Sequence, residues 1–184
     1  MKEKEAVKIQ LWKNRNELSD KYVIIDKEDY DKVIEAIRYK SGKPGKWYYH
    51  GSIDGYEYAV GGNRDKSIHR VVMDAPEGMD VDHINGDRLN NTKSNLRVCT
   101  RSQNSQNKKL RTDSASGYKG VYKHKGNLKK PFQAYIGDPN KVSRSLKLGY
   151  YATAEEAARV YDRKALELHG EFAYTNFPKE DYDR

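Results

Sequence analysis

Asp82 and His83 stand side by side, and Asn104 follows in the first turn of a segment that opens with the helix-start pair Thr100 and Gln103. Hydrolysis of a phosphodiester asks for these residue types. It needs an activated water, charge stabilisation on the phosphate and help for the leaving oxygen. A neutral imidazole meets the first need, and a divalent cation meets the other two by Lewis acidity. Mg²⁺ takes hard oxygen ligands and keeps several waters, so one carboxylate and one amide oxygen suffice to hold it. His83 is therefore the candidate base, with Asp82 and Asn104 as candidate ligands. Each also has an ordinary reading: Asp before a loop forms turns, Asn in a first helical turn caps locally, and a lone His on a strand is commonly just hydrogen-bonded.

The elements around these residues must bring them together. Asp80-Val81-Asp82-His83-Ile84 alternates as a strand, and neighbours on a strand point to opposite sides. Asp82 and His83 can serve one site only where that strand ends or twists at the mouth of the polar stretch 85–95. A second strand, Leu96-Arg97-Val98-Cys99, and a helix from Thr100 to about Lys108 complete a strand–loop–strand–helix order. Upstream, Ile68, Val71 and Val72 mark a short helix that begins at Ser67 and is ended by Ala75-Pro76-Glu77-Gly78. Before it, Tyr22-Val23-Ile24-Ile25 reads as a buried strand and Asp26 as an N-cap. Tyr30, Val33, Ile34 and Ile37 then recur at helical spacing as far as Gly42. Trp47 and Tyr49 pair with Tyr56, Tyr58 and Val60 as a hairpin. This N-terminal part shows no catalytic signal.

Beyond a polar Ser- and Thr-rich linker the pattern changes. Val121 opens one strand, Phe132, Ala134 and Ile136 alternate in a second, and Leu146 and Leu148 in a third. Thr153 and Glu156 form a capping box for a helix carried by Ala154, Ala157, Ala158, Tyr161, Ala165 and Leu168, which Gly170 ends. Alternation turns Phe132, Ala134, Ile136, Leu146 and Leu148 toward that helix. It leaves Lys119, Tyr122, His124, Gln133, Tyr135, Ser145 and Lys147 on the outer face, a mixture that can touch phosphates and base edges.

Charge points to the same partner. The 184 residues are 36% hydrophobic and 34% charged, which favours several small units with thin cores over one deep core. The net charge is +8, yet residues 101–149 alone hold 12 Lys or Arg against 2 Asp, about +10, leaving about −2 for the rest. So concentrated a basic stretch is the footprint of a polyanion. Cys99 is the one cysteine, which excludes an internal disulfide and a cysteine zinc knuckle and makes a reducing compartment the default. No apolar run approaches the length of a membrane span, so a cytoplasmic protein without a membrane partner is expected.

Two resemblances sharpen these readings. Val81-Asp82-His83-Ile84-Asn85-Gly86-Asp87, Asn90-Asn91, Ser94-Asn95-Leu96-Arg97 and Thr100-Arg101-Ser102-Gln103-Asn104 resemble HNH endonucleases, most of all the phage and intron-encoded homing branch. His69-Arg70-Val71-Val72 and Ala75-Pro76-Glu77-Gly78 belong to the same signature. The resemblance implies a ββα-metal (His-Me finger) unit over about residues 67 to 107. It makes His83 the general base and gives Asp82 and Asn104 a single ion beside the scissile phosphate and 3′ oxygen. Asn95 braces the loop through backbone hydrogen bonds and keeps His83 oriented. Arg97 and Arg101 become candidate phosphate contacts. Asn104 stands where the family name has its last His, which keeps an oxygen ligand and argues for Mg²⁺, with Mn²⁺ possible, and against zinc. Residues 116–178 resemble the ethylene-response-factor (Apetala-type) DNA-binding domain, through Gly117-Tyr118-Lys119-Gly120-Val121, Lys147-Leu148-Gly149-Tyr150-Tyr151, Thr153-Ala154-Glu155-Glu156-Ala157-Ala158, Ala165-Leu166 and Asn176-Phe177-Pro178. That family lays a three-stranded sheet in the major groove. Here Tyr122, His124, Ser145 and Lys147 replace several of its base-reading arginines and tryptophans, so its recognition sequence does not transfer.

The expectation is an α+β chain: an N-terminal α+β region over 1–62, an HNH unit over 63–109, a linker over 110–116, a three-stranded antiparallel sheet packed on one helix over 117–178, and a tail over 179–184. Its expected work is metal-dependent hydrolysis of double-stranded DNA, leaving 3′-OH and 5′-phosphate. One active site per chain cuts one strand per engagement, so a monomer would nick and a dimer would break both strands. The alternative is a non-catalytic DNA-binding regulator with a structural HNH-like hairpin, against which the joint presence of Asp82, His83 and Asn104 speaks. An RNA-binding protein is the weaker third reading.

Overall fold

The computed structural model describes residues 5–51, 57–62, 66–108, 115–126, 128–137 and 145–182. The chain divides into two compact units, Met1–Arg101 and Ser102–Arg184. Both mix strands and helices, as the α+β expectation requires.

The first unit opens with β1 (Ala6–Trp12), a strand the sequence reading lacks. Ile9 and Leu11 are buried while Lys8 and Gln10 are exposed, an ordinary alternation diluted by charged flanks. It pairs antiparallel with β2 (Leu18–Asp26) and touches β3 (Trp47–Gly51) in parallel at Trp12 and Tyr48. β3 and β4 (Glu57–Gly61) form the expected hairpin, completing a sheet in the order β2-β1-β3-β4. Tyr56, expected in that hairpin, lies outside the described residues.

Two local expectations need correction. The helix after Asp26 is short: a 3-10 turn over Lys27–Asp29 leads into α1, which covers only Tyr30–Glu35. Ile34 and Ile37 still pack on the core, so the periodicity reported burial rather than helix length. Asp26 makes no helix-capping hydrogen bond; its Oδ2 accepts from the backbone N–H of Lys93 at 2.8 Å instead.

α2 (Ile68–Met73) and the hairpin of β5 (Asp80–His83) and β6 (Leu96–Cys99) complete the unit. Leu11, Val23, Ile25, Val33, Trp47, Ile68, Val72, Val81 and Leu96 form one cluster. Val81 and Leu96 come from β5 and β6, so no break in the core falls at the expected boundary between residues 62 and 63. Each fully buried aliphatic side chain is worth about 1.5–3 kcal/mol. A lone hairpin of two four-residue strands is marginal in water. The N-terminal sheet therefore supplies the core that holds the hairpin.

The second unit begins with most of α3 (Arg101–Gln106) and holds the antiparallel sheet of β7 (Val121–Lys123), β8 (Phe132–Gly137) and β9 (Ser145–Tyr151), in that order. α4 (Ala154–His169) packs on it through Ala157, Ala158, Tyr161 and Ala165. Thr153 and Glu156 make the reciprocal capping box, each side chain bonded to the other's backbone N–H. Gly120 has φ +73°, and a Cβ there would run into the Tyr161 ring, so only glycine fits. Asp162 is fully buried, and its carboxylate accepts from the backbone N–H groups of Asn176 and Phe177, from Asn176 Nδ2 and from Tyr182 Oη. Asn176 in turn exchanges hydrogen bonds with the backbone of Lys119, which ties the C-terminal segment to the start of β7.

Leu146 departs from the expected helix-facing set. It pairs with Ile136 near the start of the edge strand β9 but is 43% exposed and joins neither core cluster. A bulge between Ala134 and Tyr135 skips Leu148 in the pairing, and Leu148 packs on both clusters.

Candidate active site

β5 and β6 pair with Asp82 opposite Arg97 and His83 opposite Leu96. His83 is the last residue of β5, at the mouth of the loop, where the two adjacent side chains were expected to find a common site. Both are sequestered, Asp82 at 6% and His83 at 7% exposure.

The loop 84–95 owes its shape to its amides. Asn95 Oδ1 accepts from the Asn85 N–H at 3.1 Å, while Nδ2 donates to the carbonyls of Asn90 at 2.8 Å and Asp87 at 3.4 Å. Asn85 and Asp87 accept from backbone N–H groups two residues on, and Asn90 accepts from the N–H and hydroxyl of Thr92. Asn95 thus bonds the loop's backbone, but the side chain on His83 belongs to Asn91, a residue the sequence reading quoted without a role. His83 Nε2 and Asn91 Oδ1 are 3.1 Å apart. Asn91 Nδ2 donates to the Arg88 carbonyl, so its oxygen faces the imidazole. An amide oxygen only accepts, so His83 Nε2 carries the proton and Nδ1 keeps the lone pair, the form a general base requires. Burial pushes the His83 pKa below its ordinary 6.5 and so keeps the ring neutral near pH 7, and the bond to Asn91 opposes this in part.

Asn91 is 1% exposed and is held from across the unit. Its N–H donates to the Ile24 carbonyl at 2.7 Å, and the Ile24 N–H donates to Leu89 at 2.9 Å. β2 therefore carries the backbone that presents the His83 partner. Lys93 adds a second tie, with Nζ 3.1 Å from Glu28 and 2.8 Å from Asp29. Asp26, Glu28 and Asp29 are close enough to hold a cation, yet the Lys93 ammonium already pairs with two of them.

His69, quoted in the signature without a role, is the other neighbour of His83. Its ring meets His83 edge-on at 5.2 Å, and its Nε2 lies 3.2 Å from Ser67 Oγ. Burial first, then the His83, Arg70 and Arg88 charges, pushes its pKa down to about 3. Between pH 3 and 6.5 the unfolded chain binds a proton there that the folded one does not, so stability is lost as pH falls below 6.5. At pH 5 the loss from this residue is about 2 kcal/mol. Urea unfolding of wild type and His69→Phe at pH 7.5 and pH 5 checks this: the variant should lose less stability on acidification, and equal losses would refute the assignment.

The arginines and the sheet face divide. Arg97 was expected to reach a phosphate, but its side chain is 11% exposed and both Nε and Nη2 donate to Asp82 Oδ2, at 2.9 and 2.7 Å. This corrects the expectation: the register pairs the two residues across the hairpin, and the guanidinium braces the carboxylate. Arg101 is exposed at the start of α3, and Asn104 is half-buried on the same helix. In the second unit Lys119 is not on the outer sheet face. It precedes β7, and its Nζ donates to the carbonyls of Gln106 and Lys108, the C-terminal end of α3. Burial there pushes its pKa down to about 8. Tyr122, Tyr135, Ser145 and Lys147 are exposed, whereas Gln133 is buried beside His124. Tyr150, quoted in the sequence only as part of a matching stretch, joins that face opposite Gln133.

The donor chemistry suits a hard cation. Asp82 offers a carboxylate and Asn104 an amide oxygen, while Cys99, the chain's single thiol, is buried on β6 with its pKa raised by burial. No helix among the described residues is long and apolar enough to cross a membrane.

Residues 68–106 match the family described as HNH endonuclease. An uncharacterised HNH endonuclease, L560 of Acanthamoeba polyphaga mimivirus, is 35% identical over 134 residues, spanning 71% of this chain and 66% of that protein. Protein 3.8 of Escherichia phage T7 is 32% identical over 98 residues, spanning 53% of this chain and 76% of that protein. No solved structure matches.

Proposed function

We propose, on the premise that the chain carries an HNH endonuclease domain and is a nuclease, that it is a divalent-metal-dependent endonuclease of the homing type acting on DNA. The observation that carries this is the hydrogen bond between His83 Nε2 and Asn91 Oδ1, which leaves a buried neutral imidazole on the residue that follows the buried Asp82 in β5. His83 Nδ1 takes a proton from water as the water oxygen bonds to phosphorus. The bond from phosphorus to the 3′ oxygen breaks, and that oxygen takes a proton from solvent, leaving 3′-OH and 5′-phosphate. Asp82 and Asn104 would hold one Mg²⁺ or Mn²⁺, which supplies Lewis acidity at the phosphate and the leaving oxygen. Asn95 keeps the loop folded, Arg97 holds the Asp82 carboxylate in place, and Arg101 reaches a phosphate. The C-terminal sheet binds the DNA, through Tyr122, His124, Gln133, Tyr135, Ser145 and Lys147, and places it for cutting.

Supercoiled plasmid is the test. Conversion to nicked or linear form is expected with Mg²⁺ or Mn²⁺ and should stop when EDTA is added. Cleavage that persists in EDTA, or none with either ion, would sink the metal-dependent reading. Nicked product alone at low enzyme, with linear product appearing only as enzyme is raised, would mark a single-site monomer.

A further inference from the structure

The sheet of the second unit carries a recessed amide among rings. Pairing puts Tyr122, Gln133 and Tyr150 in one row across β7, β8 and β9. The His124 ring lies 4.8 Å from Tyr122 and 5.5 Å from Tyr150, with Nε2 3.0 Å from Gln133 Oε1. Tyr122 and Tyr150 are 53% and 48% exposed, but Gln133 is only 8% exposed. Among the described residues Gln133 Nε2 has no hydrogen-bond partner. A buried donor left unmet is costly and rare, and in a native fold it points to water or a ligand.

We propose that this face binds DNA whose bases are unpaired, stacking them on Tyr122, Tyr150 and His124 while Gln133 Nε2 donates to a base carbonyl oxygen. A side chain that reads base pairs in a groove must project to reach their edges. Gln133 does not project; a base must come down to it, between the rings, and a paired base cannot. Rings offer every base a stacking surface, and this is how single strands are held without groove readout. The charge is placed for a backbone as well: Lys147 is exposed on the sheet, and Lys123, Lys125, Lys129 and Lys130 are exposed on and after β7. This inference rests on the reading of the C-terminal sheet as the part that binds DNA.

Fluorescence anisotropy with the full chain in EDTA tests it, comparing an oligo-dT of about 15 nucleotides with a duplex of equal length. The single strand should bind roughly tenfold tighter than the duplex, and Tyr122→Leu and Tyr150→Leu should each weaken the single strand by roughly tenfold, clearly more than they weaken the duplex. Gln133→Met should weaken the single strand without lowering the melting temperature, which separates a ligand contact from a packing role. Equal or tighter duplex binding, or ring variants that weaken both forms alike, would overturn the inference and leave the sheet as a duplex-binding face. Ring variants that weaken neither form would overturn the sheet reading itself, whatever plasmid cleavage shows.

Discussion

His83→Ala is expected to lower plasmid cleavage by about 10²–10⁴-fold while leaving DNA affinity within twofold (roughly) of wild type. That factor is what a positioned general base typically contributes, the role proposed for His83. Its ring is buried, its Nε2 proton is committed to Asn91, and its pKa is pushed below 6.5, so the lone pair on Nδ1 is present at neutral pH. Affinity should survive because the basic stretch lies mostly in the second unit and His83 in the first. The variant leaves Asn91 Oδ1 without its donor, at a cost of about 1–3 kcal/mol, so circular dichroism must accompany the rates. A folded variant that cuts at the wild-type rate would remove His83 from the mechanism. A folded variant that no longer binds DNA would place the residue in recognition instead.

The division between what the sequence disclosed and what it hid follows contact distance. Asp82, His83 and Asn104 stood out as candidates because hydrolysis needs a base and oxygen ligands, and few residue types supply them. Asn95 was legible through its motif, and its bonds to the loop backbone fit that role. Asn91 was hidden because its role exists only once Ile24, far upstream, holds its backbone and turns its amide to the ring. His69 was hidden for the same reason: α2 must pack on the hairpin before its ring meets His83. Arg97 was misjudged because charge alone suggests a phosphate, whereas the register puts it opposite Asp82. Lys119 was misjudged by one step of alternation: β7 begins two residues later, and the ammonium turns to the carbonyl end of α3. Period-two reasoning also overreached at Leu146, since a bulge breaks the period on the edge strand. In each case the pattern gave the face or the motif, and a contact between distant segments decided the partner.

DNA affinity is expected to fall about 500-fold when monovalent salt rises from about 50 to 200 mM. The figure counts the cations of the second unit that can meet phosphates; Arg101, which ends the first unit, would add about −0.9 more to the slope. Lys119 drops out, because its ammonium is already bound by two carbonyls and partly neutralised by burial. Arg97 drops out too, since Asp82 holds it. Lys123, Lys125, Lys129, Lys130 and Lys147 are exposed around the sheet and remain. Each phosphate neutralised on a duplex contributes about −0.9 to the slope of log affinity against log salt, so five give about −4.5. Over a fourfold rise in salt that is about 2.7 decades. Anisotropy across that range, on a duplex in EDTA, gives the slope directly. Lys147→Ala should reduce its magnitude by about 0.9, and Lys119→Ala should leave it unchanged. A slope shallower than about −2 would mean that most of these lysines never meet DNA, and the binding role of the second unit would fall with it.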